Sequence, residues 1–164
     1  MKLKDLTNIR AAMKGTKHGN FPMVSRVIFG AGSFDQLQEI LLPRRMSSDS
    51  PVIFLVDDVF EGTPLMARIP AIMEDQIILI SADEEPKTHQ VDALVKRIRS
   101  ESPMAPSGIV GIGGGTLLDL AKAVAIMLNN EGKTEAYQGW DLVSNASLYH
   151  VGIPTLSGTG AEVS

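Results

Sequence analysis

The chain of 164 residues has no cysteine, which excludes disulfides and thiolate metal sites. That absence fits a reducing compartment, and the cytoplasm is the expected location. Aromatic residues make up 5% of the chain, and Trp140, Tyr137 and the five phenylalanines are too scattered to stack nucleic-acid bases. No apolar run reaches the length needed to span a bilayer. The formal net charge is −4, so the chain as a whole has no electrostatic reason to seek nucleic acid or anionic lipid. His18, His89 and His150 stand apart with no ligand spacing between them, and each reads as a surface or core residue rather than a metal ligand.

What is present is ordinary for a globular protein: 44% hydrophobic and 21% charged residues, enough for one domain with a real core. The first 23 residues differ from the rest. Five basic residues against the single Asp5 give them +4, which leaves −8 for the remainder of the −4 chain. Leu3, Leu6, Ile9 and Met13 recur at helical spacing, and no continuous apolar centre makes the segment a secretory signal. The expected organisation is a basic extension over residues 1–23 and an α/β domain over 24–164.

Within that domain, strand and helix patterns alternate. Residues 24–29 read as a first strand, and Ser33 as the cap of a helix reaching residue 42 with Phe34, Leu37, Ile40 and Leu41 on one face. Residues 43–51 read as a loop. The run Val52-Ile-Phe-Leu-Val56 has the continuous apolar character of a parallel strand covered on both faces, and it ends in Asp57-Asp58. A helix over 63–73 would have to kink or stop at Pro70, and a third strand covers 76–81. Thr88 reads as the cap of a helix carrying Val91, Leu94, Val95 and Ile98. Strands over 109–112 and 149–153 flank a helix over 117–129. The alternation predicts a Rossmann-like, mostly parallel sheet with helices on both faces.

Ligands of such sheets lie beyond the carboxyl ends of the strands. There the sequence places Asp57 and Asp58, Glu85, Gly113 to Thr116, and the loop Pro154-Thr-Leu-Ser-Gly-Thr-Gly160. Three glycines ahead of a helix turn backbone N–H groups toward an anion, most naturally a phosphate. Glycines also serve close helix–sheet packing, and both readings stay open for Gly113, Gly114 and Gly115. Thr116 would cap the helix or touch phosphate. Asp58 would accept hydrogen bonds from a ribose or stand in a solvated acidic turn. Asp119 and Lys122 read as an exposed i,i+3 pair. G-x-G-x-x-G, Walker and nucleophile-elbow patterns are all absent.

Gly113-Gly-Gly-Thr-Leu-Leu-Asp119-Leu-Ala-Lys122, with Ile153-Pro-Thr-Leu-Ser-Gly-Thr-Gly-Ala-Glu162, resembles the iron-containing (group III) alcohol dehydrogenase and dehydroquinate synthase-like superfamily. The usual forms there are GGGS-x-x-D-x-AK and PTTAGTGSEV. Phe54-Leu-Val-Asp-Asp-Val59, Asp83-Glu-Glu-Pro86, Tyr137-Gln-Gly-Trp-Asp-Leu142 and Gly152-Ile-Pro-Thr-Leu-Ser-Gly-Thr-Gly-Ala-Glu162 further resemble its 3-deoxy-D-manno-octulosonate 8-oxidase branch. Enzymes of that branch oxidise the C8 hydroxyl of the sugar for the 8-amino sugar of lipopolysaccharide.

The resemblance implies NAD across the carboxyl edge of the sheet. Gly114, Gly115 and Thr116 would hold the pyrophosphate, Asp58 the adenosine ribose, and Thr155 and Thr159 the second loop toward the nicotinamide. Thr116, Leu156 and Ala161 depart from the usual serine, threonine and serine, and Glu85 stands where asparagine is common. The family's metal, iron or zinc, is held by an aspartate and three histidines that follow the second loop. The expectation is therefore a cofactor domain with no catalytic residue or metal ligand of its own, unable to oxidise an alcohol alone. A small sugar substrate is implied, with no nucleic-acid or membrane partner and a homodimer as the candidate assembly. A non-catalytic dinucleotide- or phosphate-binding module, another iron-type alcohol or glycerol dehydrogenase, and a dehydroquinate synthase-like elimination are the competing readings. Ala121-Lys122 and Ser157-Gly-Thr-Gly160 argue against the elimination.

Overall fold

The computed structural model describes residues 24–47, 49–139, 141–158 and 160–161. The predicted basic helix with Leu3, Leu6, Ile9 and Met13, together with Trp140, Thr159 and Glu162, lies outside the described residues. The chain divides into two units, Met1–Ile28 with Val163–Ser164, and Phe29–Glu162. The second contains four strands, β1 (Val52–Asp57), β2 (Gln76–Ile80), β3 (Gly108–Gly113) and β4 (Tyr149–Pro154). Its helices are α1 (Leu37–Ser47), α2 (Pro64–Arg68), α3 (Thr88–Glu101) and α4 (Gly115–Leu128).

All strand pairs are parallel, and the sheet order is β2-β1-β3-β4. The α/β expectation holds. Successive side chains of β1 point to opposite faces, and both faces are covered. Ile53 and Leu55 pack with Ile78, Val91, Val95, Ile98, Ala121 and Val124, the layer of α3 and α4. Val52, Phe54 and Val56 pack with Leu37, Leu41, Ile69, Val110 and Ile112, the layer of α1 and α2. This two-sided burial explains why β1 reads as an unbroken apolar run. Strand order and layering obey one chirality rule: a right-handed crossover travelling one way along a sheet puts its helix on one face, and the reverse direction puts it on the other. β1 to β2 runs one way through α2, while β2 to β3 and β3 to β4 run the other way through α3 and α4.

Three boundaries correct the sequence reading. Residues 24–29 form no strand; Val27 and Phe29 are 65% and 99% exposed. An apolar pattern makes a strand only where a neighbour supplies ladder hydrogen bonds, and none of the described strands pairs with this segment. The second correction is at α1, which begins after a 3-10 turn at Ser33–Gln36 and runs through Pro43 to Ser47. Proline costs this helix a backbone bond, but tertiary contacts hold its last turn. Arg45 donates to the Pro70 carbonyl at 2.7 Å and pairs with Asp75, and the Arg44 guanidinium lies 4.3 Å from the centre of the Tyr149 ring. Third, α2 ends at Arg68, before Pro70, and Lys87 rather than Thr88 caps α3, its N–H donating to Gln90 Oε1 at 2.8 Å.

Candidate cofactor site

The crossover direction reverses between β1 and β3, and at such a point the loops leaving two adjacent strands diverge to opposite faces, opening a crevice. β1 ends there in Asp57, and β3 in Gly113. The Asp57 carboxylate is used locally, accepting from the Val59 N–H at 3.3 Å in the 3-10 turn Asp58–Phe60. Asp58 is exposed and free of that capping duty. A Cβ on Gly113 would lie 3.0 Å from Leu117 Cβ and 3.2 Å from Asp57 Cβ, so the tight turn into α4 requires its missing side chain.

α4 starts at Gly115 with Gly114 as its N-cap and no side-chain cap. The first backbone bond of the helix is from Leu118 N–H to the Gly114 carbonyl at 3.1 Å. The N–H groups of the turn before it precede the intrahelical ladder and carry the positive end of the helix dipole. Gly114 is buried, and Gly115 and Thr116 are half-buried. A phosphate would meet backbone donors there rather than side chains.

The second loop is brought alongside. The Thr155 N–H donates to the Gly113 carbonyl at 3.0 Å, and a Cβ on Gly114 would lie 3.5 Å from Leu156 Cδ1. Thr155 to Gly158 are exposed. Gly114, Gly115, Thr116 and Thr155 are thus brought together, with Asp58 across the crevice at the end of β1. Thr159 falls outside the described residues.

A cleft of about 360 Å³ opens from Thr116 along the end of β2, lined by Ile80, Pro86, Leu94, Thr116, Leu117 and Leu120 among others. Glu84, not Glu85, reaches this cleft, and its carboxylate pairs with the Lys87 ammonium. Sequence reasoning missed this apolar wall, because Leu94, Leu117 and Leu120 occupy helical core positions and nothing in their spacing separates a core from a cleft. Among the described residues no three His, Cys, Asp or Glu side chains converge on a metal position.

His150 lies on β4, opposite Ile109. Its Nε2 is buried with no hydrogen-bond partner among the described residues, and burial, aided by the positive charge of Lys122, holds the imidazole below its ordinary value of 6.5. A depressed histidine leaves the unfolded chain binding the proton first, so stability is full above pH 6.5 and falls as the pH drops below it. Chemical denaturation between pH 8 and 5.5 should show this fall in the wild type and a smaller one in His150→Gln. Equal slopes would mean that the imidazole is solvated.

The model of the iron-containing alcohol dehydrogenase family matches residues 24–164. The chain belongs to this family. It is 51% identical over 55 residues to sulfoacetaldehyde reductase of Bilophila wadsworthia, covering 34% of this chain and 14% of that protein. It is 27% identical over 146 residues to 1-propanol dehydrogenase PduQ of Citrobacter freundii, covering 88% and 34%. The chain therefore spans about a third or less of these relatives. The crystal structure of sulfoacetaldehyde reductase from Bifidobacterium kashiwanohense in complex with NAD+ superposes with a TM-score of 0.70 at 22% identity. The superposition covers 91% of this chain and 39% of that one. At that identity it shows the shared fold.

Proposed function

We propose that this chain provides the dinucleotide-binding part of an NAD-linked, metal-dependent alcohol oxidoreductase. The observation that carries the reading is the Thr155–Gly113 hydrogen bond, which sets the loop after β4 beside the glycine loop that stands at the reversal point of the sheet. The Gly114 and Gly115 backbone and Thr116 would hold the pyrophosphate. Asp58 would accept from the ribose hydroxyls and repel a 2′-phosphate. Thr155 and Thr159 would line the second loop. The uncapped start of α4 and the apolar cleft beginning at Thr116 fit a ligand with a charged middle and a flat apolar end. NAD supplies the hydride acceptor; the protein's part is to bind and orient it.

The finer reading, oxidation of the C8 hydroxyl of 3-deoxy-D-manno-octulosonate, is supported by the four sequence stretches alone. The 51% match to a sulfoacetaldehyde reductase favours a second reading, a small sulfonated aldehyde. Assays with added Fe²⁺ or Zn²⁺ and NAD(H) on both compounds separate them.

Titration calorimetry tests the site itself. NAD should bind weakly, and Gly115→Val should weaken it at least tenfold, about 1.4 kcal/mol. Asp58→Ala should narrow the NAD-over-NADP preference by roughly tenfold, a magnitude between the aqueous and near-surface costs of a like-charge contact. Wild type and Gly115→Val binding alike would remove the phosphate cradle.

A further inference from the structure

Lys122 lies on α4 seven residues past Gly115, and its side chain is 20% exposed. Its ammonium donates to Asp119 Oδ1 at 3.1 Å, the pair expected from their spacing. It also donates to the Ala161 carbonyl at 2.5 Å, across 39 residues of sequence. That contact is invisible in the sequence and changes what the residue does. The near end of the second loop is fixed by the Thr155 N–H on the Gly113 carbonyl, and its far end by Lys122 on Ala161, which is 6% exposed. Both anchors belong to the β3–α4 unit that carries the first loop. Thr155 and Ala161 are therefore both held to the element whose amides face the crevice. Pinning both ends removes conformational freedom that a ligand would otherwise have to remove on binding.

We propose that Lys122 is a positioning residue of the cofactor site, a clasp that holds the second loop against the first in the absence of ligand. Its Asp119 partner is 58% exposed and orients the lysine without holding the loop. The consequence for NAD affinity rests on the dinucleotide reading above; the clasp itself does not.

Two measurements on the full 164-residue chain separate these. Without NAD, hydrogen exchange of the Thr155 amide, whose donation to the Gly113 carbonyl holds the near end of the loop, should quicken about tenfold or more in Lys122→Met. It should return to near the wild-type rate in Lys122→Arg, whose guanidinium can still donate to Ala161, and stay unchanged in Asp119→Asn. Amides of β1 should not change in any variant. With NAD, Lys122→Met should weaken binding three- to tenfold, and Lys122→Arg should restore most of it. Unchanged exchange at the Thr155 amide in Lys122→Met would overturn the clasp, as would an equal increase throughout the sheet, which marks general destabilisation. Failure of the wild type to bind NAD, with the exchange pattern as stated, would overturn the dinucleotide reading and leave the clasp standing.

Discussion

Asp75→Ala is expected to cost the fold about 3–5 kcal/mol, the usual penalty for stranding one partner of a buried ion pair. The Asp75 side chain is 1% exposed and that of Arg45 12%. One carboxylate oxygen accepts from the Val52 N–H at 2.8 Å, and the other from the Ile72 N–H at 2.9 Å and from Arg45. Alanine would leave two backbone donors without an acceptor and the Arg45 guanidinium with the Pro70 carbonyl but no counter-charge, at the point where α1, the start of β1 and the approach to β2 meet. Against a typical native stability of about 5–15 kcal/mol, much of the margin disappears. Urea denaturation should show a lower midpoint with an unchanged slope. A loss below about 1 kcal/mol would mean that water reaches Arg45 in the variant, as for an exposed pair. Pairing Arg45→Met with Asp75→Leu should recover part of the loss, because it strands no charge.

The second large effect is expected at Gly111. A Cβ there would sit 2.8 Å from Ala121 Cβ and 3.5 Å from Leu118 Cδ2. The obstacle is the body of α4, not the tip of a flexible side chain, so the helix must lift from β3. Gly111→Val should cost about 3 kcal/mol, the upper end for overpacking. For a chain of this size that is a fall in Tm of roughly 6–12 °C. Lifting α4 also displaces its N-terminal amides, so NAD affinity should fall although residue 111 lies a turn away from them. Gly158→Ala is the matched control: a Cβ there meets nothing within 4 Å, and the Tm should stay within about 2 °C. A tolerated Gly111→Val would show that α4 is not seated against the sheet as described.

These two residues mark what could and could not be read in the sequence. The alternation of elements was legible because each apolar run is long and its period unambiguous. So was the glycine turn, since three glycines between a strand and a helix leave few conformations to choose from. Gly111 was legible as part of a motif but not as a packing residue, because its need for a bare Cα arises from Ala121, ten residues away. Asp75 carried no signal at all. An aspartate between two turns is ordinary until Arg45 and two backbone N–H groups arrive from elsewhere. The helix through Pro43 was missed for the same reason, local propensity being overridden by Arg44 and Arg45. Residues 24–29 failed in the opposite direction, with a strand-like pattern and no neighbour among the described strands. At the site, the placement of Gly114, Gly115, Thr116, Thr155 and Asp58 followed from topology, whereas the Lys122–Ala161 contact depended on the path of a loop.

The strand order β2-β1-β3-β4 also bears on how the molecule assembles. The central pairing sets Val52 against Gly108, so the heart of the sheet joins segments more than fifty residues apart. Such pairings bear the entropy of closing a long loop before any contact rewards it, and chains rich in them fold slowly, on the order of milliseconds to seconds. The crevice between β1 and β3 comes into being only when that distant seam closes. During refolding, capture of nucleotide should therefore lag behind the appearance of helical signal.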